Sequence, residues 1–147
     1  MKSILVLATI VMSSQAMSAE VLLNYTKGSG FSPVPTSTNV VVKGNGEIVR
    51  TSKMGNKVEK TVVGKLSTAT VQIIKDRIEM ISDDAKLIDL DANKPRCMDA
   101  PSSTIYANKG GKEIQIARIS GCHRFAVKES AAEALTKVVD SFVYISK

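Results

Sequence analysis

Two cysteines, Cys97 and Cys122, constrain the fold of this chain more than any other feature of its sequence. The chain contains no further cysteine, so in an oxidising compartment we expect these two to form one disulfide bond. The loop of 25 residues that the bond closes would remove chain entropy worth roughly 3.5 kcal/mol from the unfolded state. A catalytic or metal-binding thiol would need a base or further ligands, and His123 is the one histidine of the sequence. The pair therefore predicts a structural bridge.

Residues 1–19 have the pattern of an export signal, which would place both cysteines in an oxidising compartment. Lys2 supplies the positive start, residues 4–12 are apolar except for Thr9, and residues 14–19 include the small side chains that signal peptidase accepts. This apolar stretch is too short to cross about 30 Å of hydrocarbon. We predict a signal peptide over 1–19, cleavage after Ala19, and a single exported domain over 20–147; Ala16 and Ser18 are also small enough to precede the cleaved bond. The exported domain is expected in the periplasm or secreted, without membrane insertion after cleavage.

Charge and aromatic content bear on the class of partner. The chain has 20 Lys and Arg against 14 Asp and Glu, but the basic residues are dispersed along the sequence. Trp is absent, and only three Phe and three Tyr occur, so a platform for stacking bases has little support. We therefore predict no nucleic-acid partner.

The spacing of apolar residues predicts an α+β fold, with a mostly antiparallel sheet of about six strands covered by two helices in the order ββββ-α-ββ-α. The first helix is predicted from the N-cap Ser67 to about Ser82, and the second from a capping box over Ser130 and Glu133. With Lys109 and Gly110 as the turn of the last hairpin, the two cysteines would face each other across that hairpin. The six strands are predicted at 20–27, 38–43, 47–53, 57–63, 103–108 and 112–119.

Motifs for enzymatic chemistry are missing from the sequence. It contains no nucleophile elbow, zinc-protease helix, phosphate-binding loop or dinucleotide fingerprint. We therefore predict no catalytic residue, no metal ligand and no cofactor. An enzyme with an unrecognised site around Asp99 and His123 remains an alternative, although the position of His123 beside Cys122 favours a structural or surface role.

Acidic residues cluster in one short segment, and this cluster raises the question of a calcium site. The spacing lacks the glycine and terminal glutamate of an EF-hand loop, which favours a solvated loop over a calcium site. The acidic residues are Asp83, Asp84, Asp89 and Asp91.

The segment 28–35 is the candidate binding loop. Prolines at 33 and 35 restrict the backbone around two apolar side chains, and a loop that is rigid before binding loses less entropy when it enters a partner's cleft. We predict that the loop contacts a partner through Phe31, Ser32, Pro33 and Val34. The alternative is that Phe31 packs at the edge of the core and the prolines only end a strand.

Five features occur in an order that resembles the emfourin family of small bacterial inhibitors of thermolysin-like metalloproteases. They are the segment Gly28 to Pro35, the antiparallel meander that follows it, the helix start Gly64-Lys65-Leu66-Ser67, the turn Asp99-Ala100-Pro101 followed by Tyr106, and the closing helix. The resemblance spans roughly Tyr25 to Phe142, and implies candidate positions in 28–31 and 99–106. The chain departs from the pattern at Ser29, where a glycine would be expected, and in its cysteine pair and export signal.

These observations predict a small, exported, non-enzymatic binding protein that inhibits a secreted or envelope hydrolase such as a protease. The rigid loop and the missing catalytic motifs agree with this prediction, because an inhibitor needs no catalytic residues of its own. The alternative is a structural or accessory envelope protein without an enzyme target.

Overall fold

The computed structural model describes residues 19–30 and 32–144, so Phe31 and nearly all of the predicted signal peptide lie outside the described residues. The described residues form one eight-stranded antiparallel sheet and two helices. The strands are β1 (Val21–Gly28), β2 (Thr36–Lys43), β3 (Glu47–Met54), β4 (Lys57–Lys65), β5 (Leu87–Asp89), β6 (Ser103–Lys109), β7 (Lys112–Ser120) and β8 (His123–Val127), and the helices are α1 (Thr68–Glu79) and α2 (Ser130–Tyr144).

The strands lie in the order β4-β3-β2-β1-β6-β7-β8-β5. Two runs of neighbouring antiparallel strands, β1 to β4 and β6 to β8, therefore meet at the pair formed by β1 and β6. Tyr25 of β1 lies at this junction, opposite Val40 on one side and Ile105 on the other. All three of these side chains are buried, so the core continues across the junction.

Both helices bury the apolar stripes that the sequence predicts. Ser67 caps α1, because its hydroxyl accepts a hydrogen bond from the backbone N–H of Thr70 at 3.2 Å. Helix α1 packs against α2 and β6, and α2 packs on β7 and β8, so the helices cover the central and β8 side of the sheet. The largest fully buried side chains are Leu23, Val42, Ile74, Ile78, Ile81, Ile116, Val127 and Leu135.

Helix α2 begins differently from the predicted capping box. The backbone N–H of Glu133 donates to the Glu129 carbonyl at 3.0 Å, so the helix already includes Ser130. The Glu129 carboxylate instead accepts from the backbone N–H of Ser82 at 3.0 Å. This bond links the segment after α1 to the start of α2.

The predictions of an α+β fold, two helices and a disulfide are confirmed, but the strand count and the element order are wrong. The two missed strands are β5 and β8, which pair with each other. Strand β8 follows a turn in which Gly121 and Cys122 have φ values of 56° and 66°. Such a turn is ordinarily recognised from Gly or Asn, and a cysteine hides it. Strand β5 has three residues and forms only because β8 is beside it.

The predicted register of the β6–β7 hairpin is also wrong. Lys109 pairs with Lys112, so Gly110 and Gly111 are the turn residues, with φ values of 58° and 85°. A register shift between Ile105 and Tyr106 adds a second irregularity. The disulfide therefore does not join facing positions of this hairpin. It joins the segment before β6 to the turn between β7 and β8.

Among the described residues, neither helix is both long enough and apolar enough to cross a membrane.

Candidate functional site

One end of the sheet gathers most of the residues that the sequence singles out. At this end β1 passes into β2 through residues 29–35, which we call the β1–β2 loop, and β3 turns into β4 at Gly55 and Asn56. The segment 90–102, which leads into β6, and the turn between β7 and β8 lie at the same end, because Ser103 pairs with both Lys27 and Ile119. We call this region the loop end.

The backbone of the β1–β2 loop is fixed by hydrogen bonds at both of its ends. The N–H of Ser29 donates to the carbonyl of Thr36 at 2.9 Å, and the hydroxyl of Ser29 accepts from the N–H of Thr36 at 3.2 Å. Near the far end of the loop, the N–H of Gly55 donates to the Pro35 carbonyl at 3.0 Å. The loop is therefore attached to the β3–β4 turn as well as closed on itself.

The same loop packs against the segment before β6. The N–H of Gly28 donates to the Ser102 carbonyl at 2.9 Å. A Cβ atom at Gly30 would overlap the carbonyl oxygen of Asp99, so only glycine allows this approach. Asp99 itself has a φ of 62°. The two segments that the family resemblance selects, 28–31 and 99–106, are therefore in direct backbone contact.

The middle of the β1–β2 loop is exposed to solvent, in contrast to its hydrogen-bonded ends. Ser32, Pro33 and Val34 are exposed, Val34 with 47% of the residue accessible, whereas Phe31 lies outside the described residues. Two further apolar side chains are exposed on segments that contact the loop: Met54 at 61% and Met98 at 90%. The loop end thus combines a fixed backbone with accessible apolar side chains.

A disulfide attaches the segment 90–102 of the loop end to the turn between β7 and β8. The Cα atoms of Cys97 and Cys122 are 5.4 Å apart, and the N–H of Cys97 also donates to the carbonyl of Gly121 at 2.9 Å. Five charged side chains complete the attachment, and with the disulfide they form what we call the clamp: Asp89, Asp91, Lys94, His123 and Arg124.

Asp91 is the centre of the clamp, with 4% of the residue exposed. Its carboxylate accepts from Arg124 three times, from Nε at 2.8 Å, Nη2 at 2.9 Å and the backbone N–H at 3.1 Å. Lys94 Nζ adds a fourth donor at 2.7 Å. The hydrogen bonds from Arg124 and Lys94 hold the pKa of Asp91 far below its ordinary range, because they favour the charged carboxylate. The carboxylate is therefore charged and fully engaged.

His123 is a buried cation in this arrangement. Its Nδ1 lies 2.8 Å from Asp89 Oδ2, and its Nε2 lies 2.9 Å from the carbonyl oxygen of Lys94. A carboxylate and a carbonyl can only accept, so both ring nitrogens must donate and the ring carries a positive charge. The hydrogen bond to Asp89 accordingly raises the pKa of His123 and lowers that of Asp89. With both nitrogens engaged, His123 holds the 89–94 segment on β8.

The prediction of a solvated acidic loop is confirmed for Asp83 and Asp84 and is wrong for Asp91. Asp83 and Asp84 are exposed, and Asp83 pairs with Lys109 at 3.0 Å. Asp91 is buried, because the cations of β8 and Lys94 replace the water that would otherwise solvate it. In the part of the chain that the structure describes, no group of three His, Cys, Asp or Glu side chains could hold a metal ion.

Sequence reasoning missed the pairing of the two acidic residues of the clamp with their partners. The sequence does contain a usable signal. Two acidic residues, Asp89 and Asp91, precede the first cysteine, and two basic residues, His123 and Arg124, directly follow the second. Joining the cysteines brings these opposite charges into the same region of the molecule, where they can pair. Arg118 was also missed: its guanidinium carbon lies 4.4 Å from the centre of the Phe125 ring, on the neighbouring strand.

The sequence matches no protein-family model and no curated protein.

Proposed function

We propose that this protein is an exported binding protein that inhibits a secreted or envelope hydrolase, with the β1–β2 loop as the segment that enters the partner. The observation that carries the proposal is a loop whose backbone is hydrogen-bonded at both ends and whose side chains over 32–34 are exposed. A loop that is ordered before binding loses little conformational entropy on association, so more of its contact energy appears as affinity.

The surroundings of the loop support the same proposal. Val34 is an exposed apolar side chain of the loop, and Met54 and Met98 are exposed apolar side chains on two segments that each touch the loop. Clustered exposed apolar side chains on a small protein mark interaction surfaces more often than isolated ones do. A partner that covers this cluster would bury the side chains that now face water.

The disulfide at the loop end also agrees with a role outside the cytoplasm. The disulfide that holds the 90–102 segment is compatible with an extracytoplasmic location. Gly30 rests on Asp99, so the bridge supports the loop through the segment that it anchors.

The proposal is tested by incubating the purified protein with a panel of metalloproteases, serine proteases and lysozymes. We expect inhibition of at least one enzyme, together with a complex that is stable to gel filtration. Absence of both inhibition and complex across the whole panel would contradict the proposal.

Two loop variants then locate the contact on the enzyme that the panel identifies. Phe31→Ala and Val34→Glu should each weaken inhibition by more than about 1 kcal/mol in binding free energy, as expected for residues at the centre of an interface. Ile73→Glu is the matched control, because Ile73 is 57% exposed on α1, away from the loop end. Equal affinities for Val34→Glu and Ile73→Glu would exclude the loop as the contact.

A further inference from the structure

A groove lies between the carboxyl-terminal half of α2 and the sheet. Its first part is a cavity of about 390 Å³, lined from the helix by Thr136, Asp140 and Val143 and from the sheet by side chains that include Tyr25 and Ile105. This volume lies within the range of about 300–1,000 Å³ that is usual for small-molecule sites.

A second cavity of about 350 Å³ continues the groove toward the β1–β2 loop. The two cavities share Tyr25, Lys27, Pro101 and Val143, so they adjoin each other. An extended ligand could therefore occupy both cavities. The elongated shape favours a linear molecule over a compact one.

The lining of the first cavity is apolar inside and cationic at one side. Ile105, Ala117 and Ala126 contribute apolar surface from three strands, while Lys27 and Arg118 contribute positive charge. Arg124 also lines the cavity, but its guanidinium is engaged by Asp91. Apolar walls beside cations that form no ion pair with a described residue are suited to a ligand with an apolar tail and an anionic head.

Arg118 is the residue that indicates where such a head would bind. Its guanidinium stacks on Phe125 with 4.4 Å between the guanidinium carbon and the ring centre, which fixes its orientation. Its Nε is buried and has no hydrogen-bond partner among the described residues. A buried donor without a partner is costly, and a small shift of the guanidinium within its stacking plane, toward an acceptor atom of a ligand in the cavity, would remove that cost. The planar guanidinium fits the two oxygens of a carboxylate.

Asp140 is the acidic side chain of this lining, and its carboxylate would oppose an anion. Partial burial raises the pKa of this carboxyl. Lys27 and Arg118 together carry two positive charges against the single negative charge that Asp140 can carry. The balance of charge in the cavity therefore remains positive.

We propose that this groove binds a fatty-acid-like carboxylate, with the carboxylate on Arg118 and the hydrocarbon tail between α2 and the sheet. Although the second cavity reaches Ser29, neither cavity is lined by the exposed residues Ser32, Pro33 or Val34, and the proposal does not depend on inhibition of a hydrolase. It adds a small-molecule ligand to a protein whose proposed partner is a macromolecule.

Titration calorimetry with a chain-length series tests the proposal. Hexanoate, octanoate and decanoate should bind with affinities that rise roughly tenfold for each two methylene groups, as burial of a hydrocarbon tail requires. Decanoate should bind at least tenfold more tightly than decan-1-ol or decyltrimethylammonium, which have the same tail without the anion. Absence of decanoate binding, or equal binding of all three decyl compounds, would overturn the proposal.

Two variants assign the binding to the groove. Arg118→Met should reduce decanoate affinity at least tenfold, to the level of decan-1-ol, whereas Arg77→Met in the last turn of α1 should leave it unchanged. Ala117→Val narrows the cavity while keeping Arg118, and should weaken decanoate more than hexanoate. Circular dichroism confirms that each variant is folded. Decanoate affinity that is the same in Arg118→Met and Arg77→Met, or in Ala117→Val and the unaltered protein, would place the ligand elsewhere and overturn the assignment.

Discussion

The β1–β2 loop and the clamp lie at the same end of the sheet but are held in opposite ways. The clamp uses its side chains to hold the chain together: a disulfide and five charged groups, centred on the buried Asp91 and His123, join the 89–97 segment to β8 and the preceding turn. The β1–β2 loop is held by its backbone and by Ser29, and leaves Ser32, Pro33 and Val34 exposed. The difference indicates that one segment stabilises the loop end, while the other keeps side chains available to a partner.

The largest effect on stability should come from removing the disulfide. We expect the double variant Cys97→Ser and Cys122→Ser to lose roughly 3.5 kcal/mol of unfolding free energy, since its unfolded state is no longer restricted by the closed loop. Urea denaturation measures this loss. A change below about 1 kcal/mol would show that the charged residues hold the clamp without the covalent bond.

The pH dependence of stability should report the charged part of the clamp. The pKa of Asp91 is lowered from 3.8, so its contribution is present above that value and is lost as the pH falls below it. The pKa of His123 is raised from 6.5, so its contribution is complete below 6.5 and is lost as the pH rises through the higher folded value. Stability should therefore be greatest between about pH 4 and 6.5.

The variant His123→Gln separates the two limbs of this profile. We expect it to flatten the decline above pH 6.5 and to keep the decline at acid pH that Asp91 produces, because Arg124 and Lys94, and not His123, lower the pKa of Asp91. Urea midpoints measured across the pH range provide the comparison. An unchanged upper limb in the variant would mean that His123 is not a cation in the folded protein.

Crowding the backbone contact between Gly30 and Asp99 should have a smaller effect on stability than removing the disulfide. Gly30→Ala places a methyl group against the Asp99 carbonyl, and we expect a loss of about 1–3 kcal/mol, as in other overpacked positions. Gly28→Ala is the control, because a Cβ there would meet Ser102 Oγ at an ordinary 3.7 Å. Thermal unfolding of both variants tests the contact. Equal melting temperatures would show that the loop does not rest on the 99–102 segment.

The smallest effect on stability should come from an exposed side chain of the β1–β2 loop. Val34→Glu should change unfolding free energy by no more than about 0.5 kcal/mol, because Val34 is 47% exposed. Denaturation of this variant beside Ile73→Glu provides the measurement. A loss above 1 kcal/mol in Val34→Glu alone would make Val34 part of the fold.

The same contrast explains how much of the structure the sequence could predict. Six strands and both helices follow from apolar spacing, and Ser67 is the predicted cap of α1. These features depend on neighbours in the sequence. Strands β5 and β8 and the burial of Asp91 depend instead on partners that the fold brings together. A cysteine with positive φ at 122 conceals the turn that begins β8.

The candidate site could be predicted in part for the same reason. Gly, Ser and Pro over 28–35 indicate a loop, and its exposed residues 32–34 are among those predicted. The contact between Gly30 and Asp99 joins positions far apart in sequence, and spacing gives no sign of it. The unpartnered Nε of Arg118 likewise becomes visible only when its surroundings are known.

Amide hydrogen exchange tests the central claim, that the β1–β2 loop is ordered in the free protein and covered in the complex. In the free protein, we predict slow exchange at Gly28, Ser29 and Gly55, whose N–H groups donate to backbone carbonyls at the two ends of the loop. In complex with the hydrolase identified by the panel, further protection should appear over residues 29–35 and not over α1. Fast exchange in the free protein, or protection that omits the loop, would contradict this account.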